Sequence, residues 1–287
     1  MSALPLTAAP ASFPVPPLAL PGGLTLPTGR TAIMGILNVT PDSFSDGGRY
    51  TDVAAALGHA RQMVAAGADL IDVGGESTRP NSTRISADEE WGRICTIVEA
   101  LATDGVIVSV DTLHASTARE AACAGAAIIN DVSGGRWDPE MNAAVAESGC
   151  AYVVQHYRAL PGMPGEHFDY GDDLVGTLME RVGSQVQDAI DAGVTPDKIV
   201  IDPGLGFSLT GDQCWQILRE LPRFLQGGYP VLVGASRKRF VKALDGDVDA
   251  NSADIAAYCA AAGAWAVRVH DVAATVAAIA RKENDVD

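Results

Sequence analysis

The chain has 287 residues and a formal net charge of -16 at pH 7. This balance excludes a general binder of nucleic acid or of anionic membranes, although a few basic residues could still hold an anion at a local site. The length is sufficient to bury a large core and lies within the range that a single α/β barrel reaches.

The cysteines and the apolar runs bear on where the protein works. Five cysteines are scattered without any Cys-x-x-Cys pair: Cys95, Cys123, Cys150, Cys214 and Cys259. This pattern favours free thiols in a reducing compartment, so we expect a cytoplasmic protein. No apolar run approaches the length of a membrane span, and no association with a membrane is expected.

The first 29 residues are rich in Pro, Ala and Leu and contain no Lys or Arg. A secretory signal needs a basic start and an uninterrupted apolar core, which this segment does not have. We expect residues 1–29 to form a flexible tail, over residues 1 to about 13, followed by a possible small hairpin around Pro21-Gly22-Gly23. The remaining residues, 30–287, are expected to form the folded domain.

Eight short apolar runs follow along the chain. They are "IMGILN", "LIDVGG", "VIVSVD", "AIIND", "AYVVQH", "KIVID", "PVLVGAS" and "AWAVRVH". Each is continuously apolar rather than alternating, as expected for strands buried on both faces of a parallel sheet. Ala-rich segments with helical periodicity separate them. Gly67, Gly125, Gly193 and Gly263 each stand between such a segment and the next strand, where a left-handed helix C-cap is expected.

Eight successive strand–helix units predict a (β/α)8 TIM barrel in a single domain. The competing fold is an open doubly wound sheet, which should carry a G-x-G-x-x-G turn after its first strand. The segment "NVTPDSFSDGG" at that position lacks this spacing. We therefore expect the barrel.

Polar side chains follow all eight predicted strands. Any one of them alone is more often a helix cap or a satisfied core group. In a barrel, however, the carboxyl ends of the strands share one rim, where functional residues collect, so the whole set indicates a site. The set is Asn38; Asp72, Glu76, Ser77, Thr78 and Arg79; Asp111; Asn130 and Asp131; Gln155 and His156; Asp202; Ser236, Arg237 and Lys238; Arg268 and His270.

Two kinds of chemistry are present in this set. The short carboxylates and amide of Asp111, Asn130 and Asp202 suit the ring N–H and amino groups of a flat, nitrogen-rich heterocycle. The basic and hydroxyl groups suit a phosphate or diphosphate: Thr78, Arg79, Ser236, Lys238, Arg268 and His270. No cluster has the spacing of zinc ligands, and His59 and His114 are expected to be ordinary surface groups on or at the start of helices.

Seven motifs in order along these strands make the chain resemble the dihydropteroate synthase family. They are "GILNVTPDSFSDGG", "DVGGESTRP", "VSVDT", "INDVSGG", "IDPGLGF", "GASRKRF" and "RVHD". The resemblance implies a transferase of folate biosynthesis, which joins p-aminobenzoate to the methylene group of 6-hydroxymethyl-7,8-dihydropterin diphosphate and releases pyrophosphate. It also implies Mg²⁺, held mainly by the diphosphate, and a homodimer formed through the outer helices of the last barrel units.

The resemblance assigns a role to individual residues. The pterin would contact Asp111, Asn130, Val132, Asp202, Phe207 and Lys238. The diphosphate would contact Asn38, Thr78, Arg268 and His270, and Asn38 would also approach the metal. Two loops would close over p-aminobenzoate, with Phe44 and Asp46 in one and Ser77, Thr78, Arg79 and Pro80 in the other. The catalytic residues would be Asp111, Lys238, Arg268 and His270.

Four positions depart from the pattern of the family. Asn81 stands where Gly is usual, Gln155 where Met is usual, and Leu209 and Cys214 where Lys and Asn are common. A competing hypothesis is therefore an altered or non-catalytic pterin-binding paralogue of the same fold. Two further hypotheses are a corrinoid-linked methyltransferase domain that binds methyltetrahydrofolate, which would not need "ESTRP", and a Schiff-base aldolase that uses Lys238.

Overall fold

The computed structural model of the chain describes residues 5–6, 12–40, 49–77 and 82–284. Within these residues, eight parallel strands form one sheet in the order β6-β5-β4-β3-β2-β1-β8-β7. The strands are β1 (Ala32–Asn38), β2 (Leu70–Gly74), β3 (Ile107–Asp111), β4 (Ile128–Asp131), β5 (Ala151–Gln155), β6 (Ile199–Asp202), β7 (Leu232–Val233) and β8 (Ala266–Val269). All eight coincide with the predicted apolar runs.

The sheet closes between β6 and β7. The backbone N–H of Ile201 donates to the carbonyl of Pro230 at 2.9 Å, and Ile201 forms a single parallel bridge with Val231. Closure removes the exposed edges that an open sheet would present. The predicted (β/α)8 barrel is thus confirmed.

The outer layer of the barrel consists of helices. Within the described residues they are α1 (Arg49–Ala65), α2 (Ala87–Thr103), α3 (Ala115–Cys123), α4 (Met141–Ser148), α5 (Leu174–Asp191), α6 (Gly211–Arg219), α7 (Leu221–Leu225), α8 (Arg239–Lys242), α9 (Val248–Ala262) and α10 (Val272–Asn284). None of these described helices combines the length and the apolar character that crossing a membrane requires.

Left-handed glycines connect helices to strands, as the sequence predicts. The φ angles of Gly67, Gly125, Gly193 and Gly263 lie between 96° and 109°. At Gly263 a Cβ atom would also lie 2.1 Å from the carbonyl oxygen of Phe13, so a larger residue would displace the N-terminal segment. The tight link lets each helix return onto the sheet at once.

Residues 12–31 pack against the amino-terminal end of the barrel. Pro21–Gly23 forms a 3-10 turn, and residues 12–31 contain no strand, so the segment considered for a hairpin holds a turn without β-pairing. Leu18 and Leu20 contact the apolar cluster in the lower barrel interior, and Ala19 N donates to Asp197 O at 2.9 Å. Most of the residues predicted to be a tail lie outside the described part of the chain.

The barrel interior changes character from bottom to top. Its lower layers hold apolar side chains that are fully or almost fully buried, among them Met34, Leu70, Ile128, Val153 and Val200. Burial of each such side chain stabilises the fold by roughly 1.5–3 kcal/mol. Above them, toward the carboxyl ends of the strands, the interior side chains become polar. This polar upper layer is the floor of the candidate site.

Candidate active site

A pocket of about 790 Å³ opens at the carboxyl ends of the strands. Polar residues from all eight strand ends line it: Asn38, Glu76, Ser77, Asp111, Asn130, Gln155, Asp202, Ser236, Lys238, Arg268 and His270. Its apolar walls come from Val132, Pro161, Phe168, Phe207, Leu209 and Phe240. The parallel barrel thus gathers into one cavity residues that are more than 200 positions apart in the chain.

Arg268 lies at the centre of the pocket floor between two carboxylates. Its Nε donates to Asp72 Oδ2 at 2.5 Å, and its Nη2 donates to Asp111 Oδ2 at 2.8 Å. Asp72 is fully buried and also accepts hydrogen bonds from Ser109 Oγ at 2.5 Å and from Asn130 Nδ2 at 3.1 Å. These bonds fix the guanidinium and the Asn130 amide relative to each other. Asp72 therefore anchors the floor, a role that the family resemblance did not assign.

Burial disfavours the charged forms of Asp111 and Arg268 on this floor. Burial raises the pKa of Asp111, although the neighbouring Arg268 lowers it. Burial disfavours the guanidinium as well, but Asp72 and Asp111 outweigh this effect and hold the pKa of Arg268 above its usual value. Two carboxylates share one cation, so ionisation of both leaves an excess of negative charge beneath the pocket.

Asp202, Lys238 and Phe207 form a second group on one side of the pocket. Asp202 Oδ1 accepts from Gly204 N at 2.7 Å, and the ammonium of Lys238 donates to the carbonyl of Leu205. Lys238 Nζ lies 4.9 Å from the centre of the Phe207 ring, a cation–π contact. Burial lowers the pKa of Lys238 to about 8, while Asp202 opposes this change.

Two glycines lie next to the polar groups of this pocket. A Cβ at Gly234 would lie 3.9 Å from Lys238 Nζ and 4.0 Å from Asp202 Oδ2. A Cβ at Gly74 would lie 3.8 Å from Asn38 Oδ1 and 3.5 Å from the Asp111 side chain. All of these are ordinary van der Waals distances, so the two glycines bring the backbone close to the polar groups.

Ser236, which follows β7, and His270, which follows β8, are paired at the rim of the pocket. His270 N donates to Ser236 Oγ at 3.2 Å, and the same hydroxyl lies 3.0 Å from His270 Nδ1. The two contacts orient the imidazole ring at the rim of the pocket. The sequence analysis predicts that Ser236 and His270 bind a phosphate or diphosphate.

A metal ion, if bound here, would depend on its ligand for most of its coordination. Among the described residues, no group of three or more His, Cys, Asp or Glu side chains could hold a metal ion. The amide oxygen of Asn38 is a hard oxygen donor at the pocket edge, next to Gly74. One such donor fits Mg²⁺, which commonly takes few protein ligands and completes its shell with phosphate oxygens and water.

The outer part of the pocket is basic. Arg237 is paired with Asp249 at 2.6 Å, but the side chains of Arg239 and Lys242 have no ion-pair partner within the described residues. The sequence analysis assigned no role to these two residues, although the basic segment "SRKRFVK" that continues past Lys238 was an available signal. In a chain of net charge -16, two such cations at a pocket indicate an anionic ligand group.

The loop between β5 and α5 supplies a wall that the sequence did not predict. Phe168 is 40% exposed and lines the pocket, while its carbonyl accepts from Gln213 Nε2 at 2.7 Å. Tyr170 Oη donates to Ser208 O at 3.0 Å, and Ser208 Oγ donates to Ala159 O at 3.2 Å. These bonds tie the loop to the segment before α6 and hold the aromatic ring at the pocket mouth.

Two members of the predicted strand-end set face away from the pocket. Asp131 accepts from Ser133 N and Gly135 N, each at 2.7 Å, and from Tyr152 Oη at 3.0 Å, so it organises a turn. His156 is fully buried beside Tyr170, and burial lowers its pKa to about 3. Both belong to the packing between the sheet and the helices.

The prediction for His114 as an ordinary surface group is wrong. It stands at the N-cap of α3, and its Nε2 lies 3.5 Å from Glu76 Oε2, where the imidazole side chain is only 21% exposed. The sequence does not reveal this contact, because it depends on the packing of the segment after β2 against the start of α3.

Three of the four departures from the family pattern lie in or beside the pocket. Leu209 and Cys214 are buried in its wall, and Gln155 Nε2 donates to Val132 O at 3.2 Å. The remaining predicted residues lie outside the described part of the chain: Phe44, Asp46, Thr78, Arg79, Pro80 and Asn81.

Comparison with known proteins places this architecture among pterin enzymes. The family model described as pterin binding enzyme matches residues 34–270. The dihydropteroate synthase of Mycobacterium leprae is 47% identical over 258 residues, which cover 86% of this chain and 90% of that protein.

Solved structures show the same likeness. The Yersinia pestis dihydropteroate synthase with a sulfonamide drug complex has a TM-score of 0.85 at 38% identity, covering 94% of this chain and 98% of that one. The Xanthomonas albilineans dihydropteroate synthase in complex with 7,8-dihydropteroate has a TM-score of 0.81 at 37% identity, covering 92% and 97%.

Proposed function

Because the chain belongs to the dihydropteroate synthase family of pterin-binding enzymes, we infer that its strand-end pocket is where that family's reaction takes place. The chain is a transferase of folate biosynthesis. It condenses 6-hydroxymethyl-7,8-dihydropterin diphosphate with p-aminobenzoate, forming 7,8-dihydropteroate and pyrophosphate. The observation that carries this conclusion is the convergence of ring-binding and anion-binding side chains on one cavity.

The pterin ring is assigned to the floor and the Lys238 side of the pocket. Asp111, Asn130 and Asp202 offer acceptors and an amide to ring N–H, amino and carbonyl groups, and Lys238 adds a cationic donor. Val132 and Phe207 supply apolar surface for the flat ring. The bonds that Asn130 and Asp202 already make support this assignment, because they hold these groups in place before a ligand arrives.

The diphosphate is assigned to the rim formed by Asn38, Arg268 and His270, together with Thr78 outside the described residues. Arg268 and His270 offer donors to phosphate oxygens. When bound, Mg²⁺ would neutralise negative charge on the departing diphosphate, and the amide oxygen of Asn38 is the protein group that would hold it. The mixed donor set at this rim supports the assignment.

In the reaction, the amine nitrogen of p-aminobenzoate forms a bond to the pterin methylene carbon. The bond from that carbon to the diphosphate oxygen breaks, its electron pair leaves with the diphosphate, and the amine loses a proton. Positive charge develops on the pterin as the leaving group departs. We assign the stabilisation of this charge to the carboxylate of Asp111, which contributes electrostatically rather than as a nucleophile.

The carboxylate of p-aminobenzoate is assigned to the basic outer part of the pocket. Arg239 and Lys242 line this part and have no ion-pair partner there within the described residues. A carboxylate at this position would leave the amino group directed inward, toward the pterin methylene. Ser77 and Phe168 border the same cavity and would contact the aromatic ring.

Release of pyrophosphate from the pterin diphosphate with p-aminobenzoate tests the function. We expect turnover that requires both substrates. Tight binding of the pterin without pyrophosphate release would instead support the altered paralogue, to which the departures at Leu209 and Cys214 point. Omission of Mg²⁺ should lower turnover without weakening the binding of pterin alone.

We also propose a cytoplasmic homodimer. Five free cysteines, three of them buried, support a reducing compartment. The last two helices pack against each other through Ala253, Ala257 and Ala278 and leave Val276 partly exposed, so this face is the proposed interface. Light scattering of the purified chain tests the dimer, and a monomeric mass at micromolar concentration would contradict it.

A further inference from the structure

Glu76 joins three segments beside the pocket. It lines the cavity just after β2, and its Oε1 accepts from Ile85 N at 3.0 Å and lies 3.3 Å from Arg84 Nε. On its other side, Oε2 lies 3.5 Å from Nε2 of His114 at the start of α3. A single buried carboxylate thus connects the end of β2, the segment before α2 and the beginning of α3.

The segment before α2 also holds Ser77, which lines the pocket. Ser82 Oγ donates to the carbonyl of Ser77 at 2.5 Å, and Arg84 Nη2 donates to that carbonyl as well. Arg84 contacts both Glu76 and the Ser77 carbonyl, so it links the Glu76 carboxylate to Ser77. The position of this pocket wall therefore depends on what holds Glu76.

The base beneath this group is rigid. A Cβ at Gly75 would lie 3.0 Å from the carbonyl oxygen of Glu90, so the chain after β2 packs directly on α2. Glu90 Oε2 accepts from Thr112 Oγ1 at 2.6 Å, and Thr112 Oγ1 accepts from His114 N at 3.1 Å. The backbone of His114 is thereby fixed, and its imidazole is the part of the contact to Glu76 that can change with pH.

Three carboxyl groups face the imidazole of His114 from the elements packed around it: Glu76 after β2, Glu90 on α2 and Asp138 before α4. The contact with Glu76 is the largest influence, and together the three groups raise the pKa of His114 against the opposing effect of burial. The Glu76 pKa is lowered, because His114, Ile85 N and Arg84 outweigh the effect of its burial. Below the pKa of His114 the two groups form an ion pair, and above it this pair is lost.

We propose that the Glu76–His114 pair positions Ser77 for p-aminobenzoate, and that loss of the His114 proton loosens this wall of the pocket. The inference rests on the proposed function, because it concerns the acceptor side of the same cavity. Glu76 and His114 are positioning residues here, since they act on the acceptor through Ser77. The protonated enzyme should bind p-aminobenzoate more tightly.

The test compares wild type with His114→Gln across pH 6 to 9. Other titrations, such as those of Asp111 and Lys238, are common to both enzymes and cancel in the ratio of their KM values for p-aminobenzoate. We expect His114→Gln to raise this KM roughly three- to fivefold at low pH, because the variant loses the stabilisation from one partly screened ion pair. The ratio should fall toward one as the wild-type imidazole loses its proton. The KM for the pterin diphosphate and kcat should stay unchanged.

His114→Lys, which keeps a cation over the whole range, should retain the low KM at high pH. In a Glu76→Gln background, His114→Gln should have no further effect. His59→Gln is the matched control, because His59 lies on α1 away from this group, and its ratio should be one throughout.

A ratio that stays constant with pH would overturn the inference, as would equal changes in kcat and in both KM values, which indicate general loss of structure. Absence of pyrophosphate release by the wild type would refute the proposed function, and this inference with it. Thermal unfolding of each variant shows whether it is folded.

Discussion

Arg268 on β8 and Asp111 on β3 form an ion pair across the top of the barrel, with 2.8 Å between Nη2 and Oδ2. The buried carboxylate of Asp72 binds the same guanidinium at 2.5 Å. A diphosphate that recruits Arg268 must therefore compete with two carboxylates. Any weakening of the Arg268–Asp111 contact on substrate binding would leave Asp111 more negative beneath the proposed pterin site, where we expect positive charge to develop.

Asp111→Asn removes this charge while it keeps the shape of the side chain. We expect kcat to fall by about 10²–10³-fold, the effect of losing one preorganised electrostatic contact, whereas pterin binding changes little. Pyrophosphate release and calorimetric titration with pterin measure the two quantities.

The pH dependence gives a second readout for Asp111. Because burial raises the pKa of Asp111, its carboxylate should become protonated as the pH is lowered, already above the ordinary aspartate pKa of about 3.9. We expect kcat to fall as the pH is lowered through this range. Asp104→Asn, on the surface beside Arg61, is the control and should behave as wild type. Unchanged turnover in Asp111→Asn would contradict the role in charge stabilisation.

Arg268→Ala should weaken binding of the pterin diphosphate far more than binding of pterin alone. The variant also leaves Asp72 buried without its cation, so the free energy of unfolding should decrease by about 3 kcal/mol. Calorimetric titration with both ligands and urea denaturation test these two expectations. Arg268→Lys, which restores the charge, should recover part of the stability, and equal weakening for both ligands would argue against a diphosphate contact.

We expect pterin binding to weaken at alkaline pH through Lys238, the proposed pterin contact. Burial lowers its pKa to about 8, so the ammonium is present below this pH and is lost above it. We expect the affinity for the pterin diphosphate to decrease by up to about tenfold per pH unit above that point. Lys238→Arg, whose pKa lies far higher, should bind with an affinity that is independent of pH in this range. A wild-type affinity that is constant from pH 7 to 9.5 would exclude the contact.

Arg239→Ala tests the acceptor carboxylate. The KM for p-aminobenzoate should rise on the order of tenfold, because a charge-assisted hydrogen bond is lost. Aniline, which has no carboxylate, should react with equal efficiency in variant and wild type. Arg219→Ala, on α6 outside the pocket, is the matched control. A KM change that is the same for both acceptors would place the effect elsewhere.

Much of the site could be predicted because strand ends in a barrel share one rim. The positions of Asn38, Asp111, Asn130, Asp202 and Arg268 follow from eight apolar runs and the residues that end them. What could not be predicted is which neighbour in a polar pair faces the cavity. Asn130 lines the pocket while Asp131 points to the helices, because successive side chains of a strand alternate between its faces.

By itself, the sequence determined the eight strands, the glycine-linked return of each helix and the chemical character of the strand ends, because these depend on local periodicity and composition. The tertiary structure determined which side chains interact with each other. The pairing of Arg268 with Asp72 and Asp111 and the contact of His114 with Glu76 arise between segments distant in the chain. Electrostatic interactions depend on distance and burial in space, and neither can be obtained from spacing along the sequence.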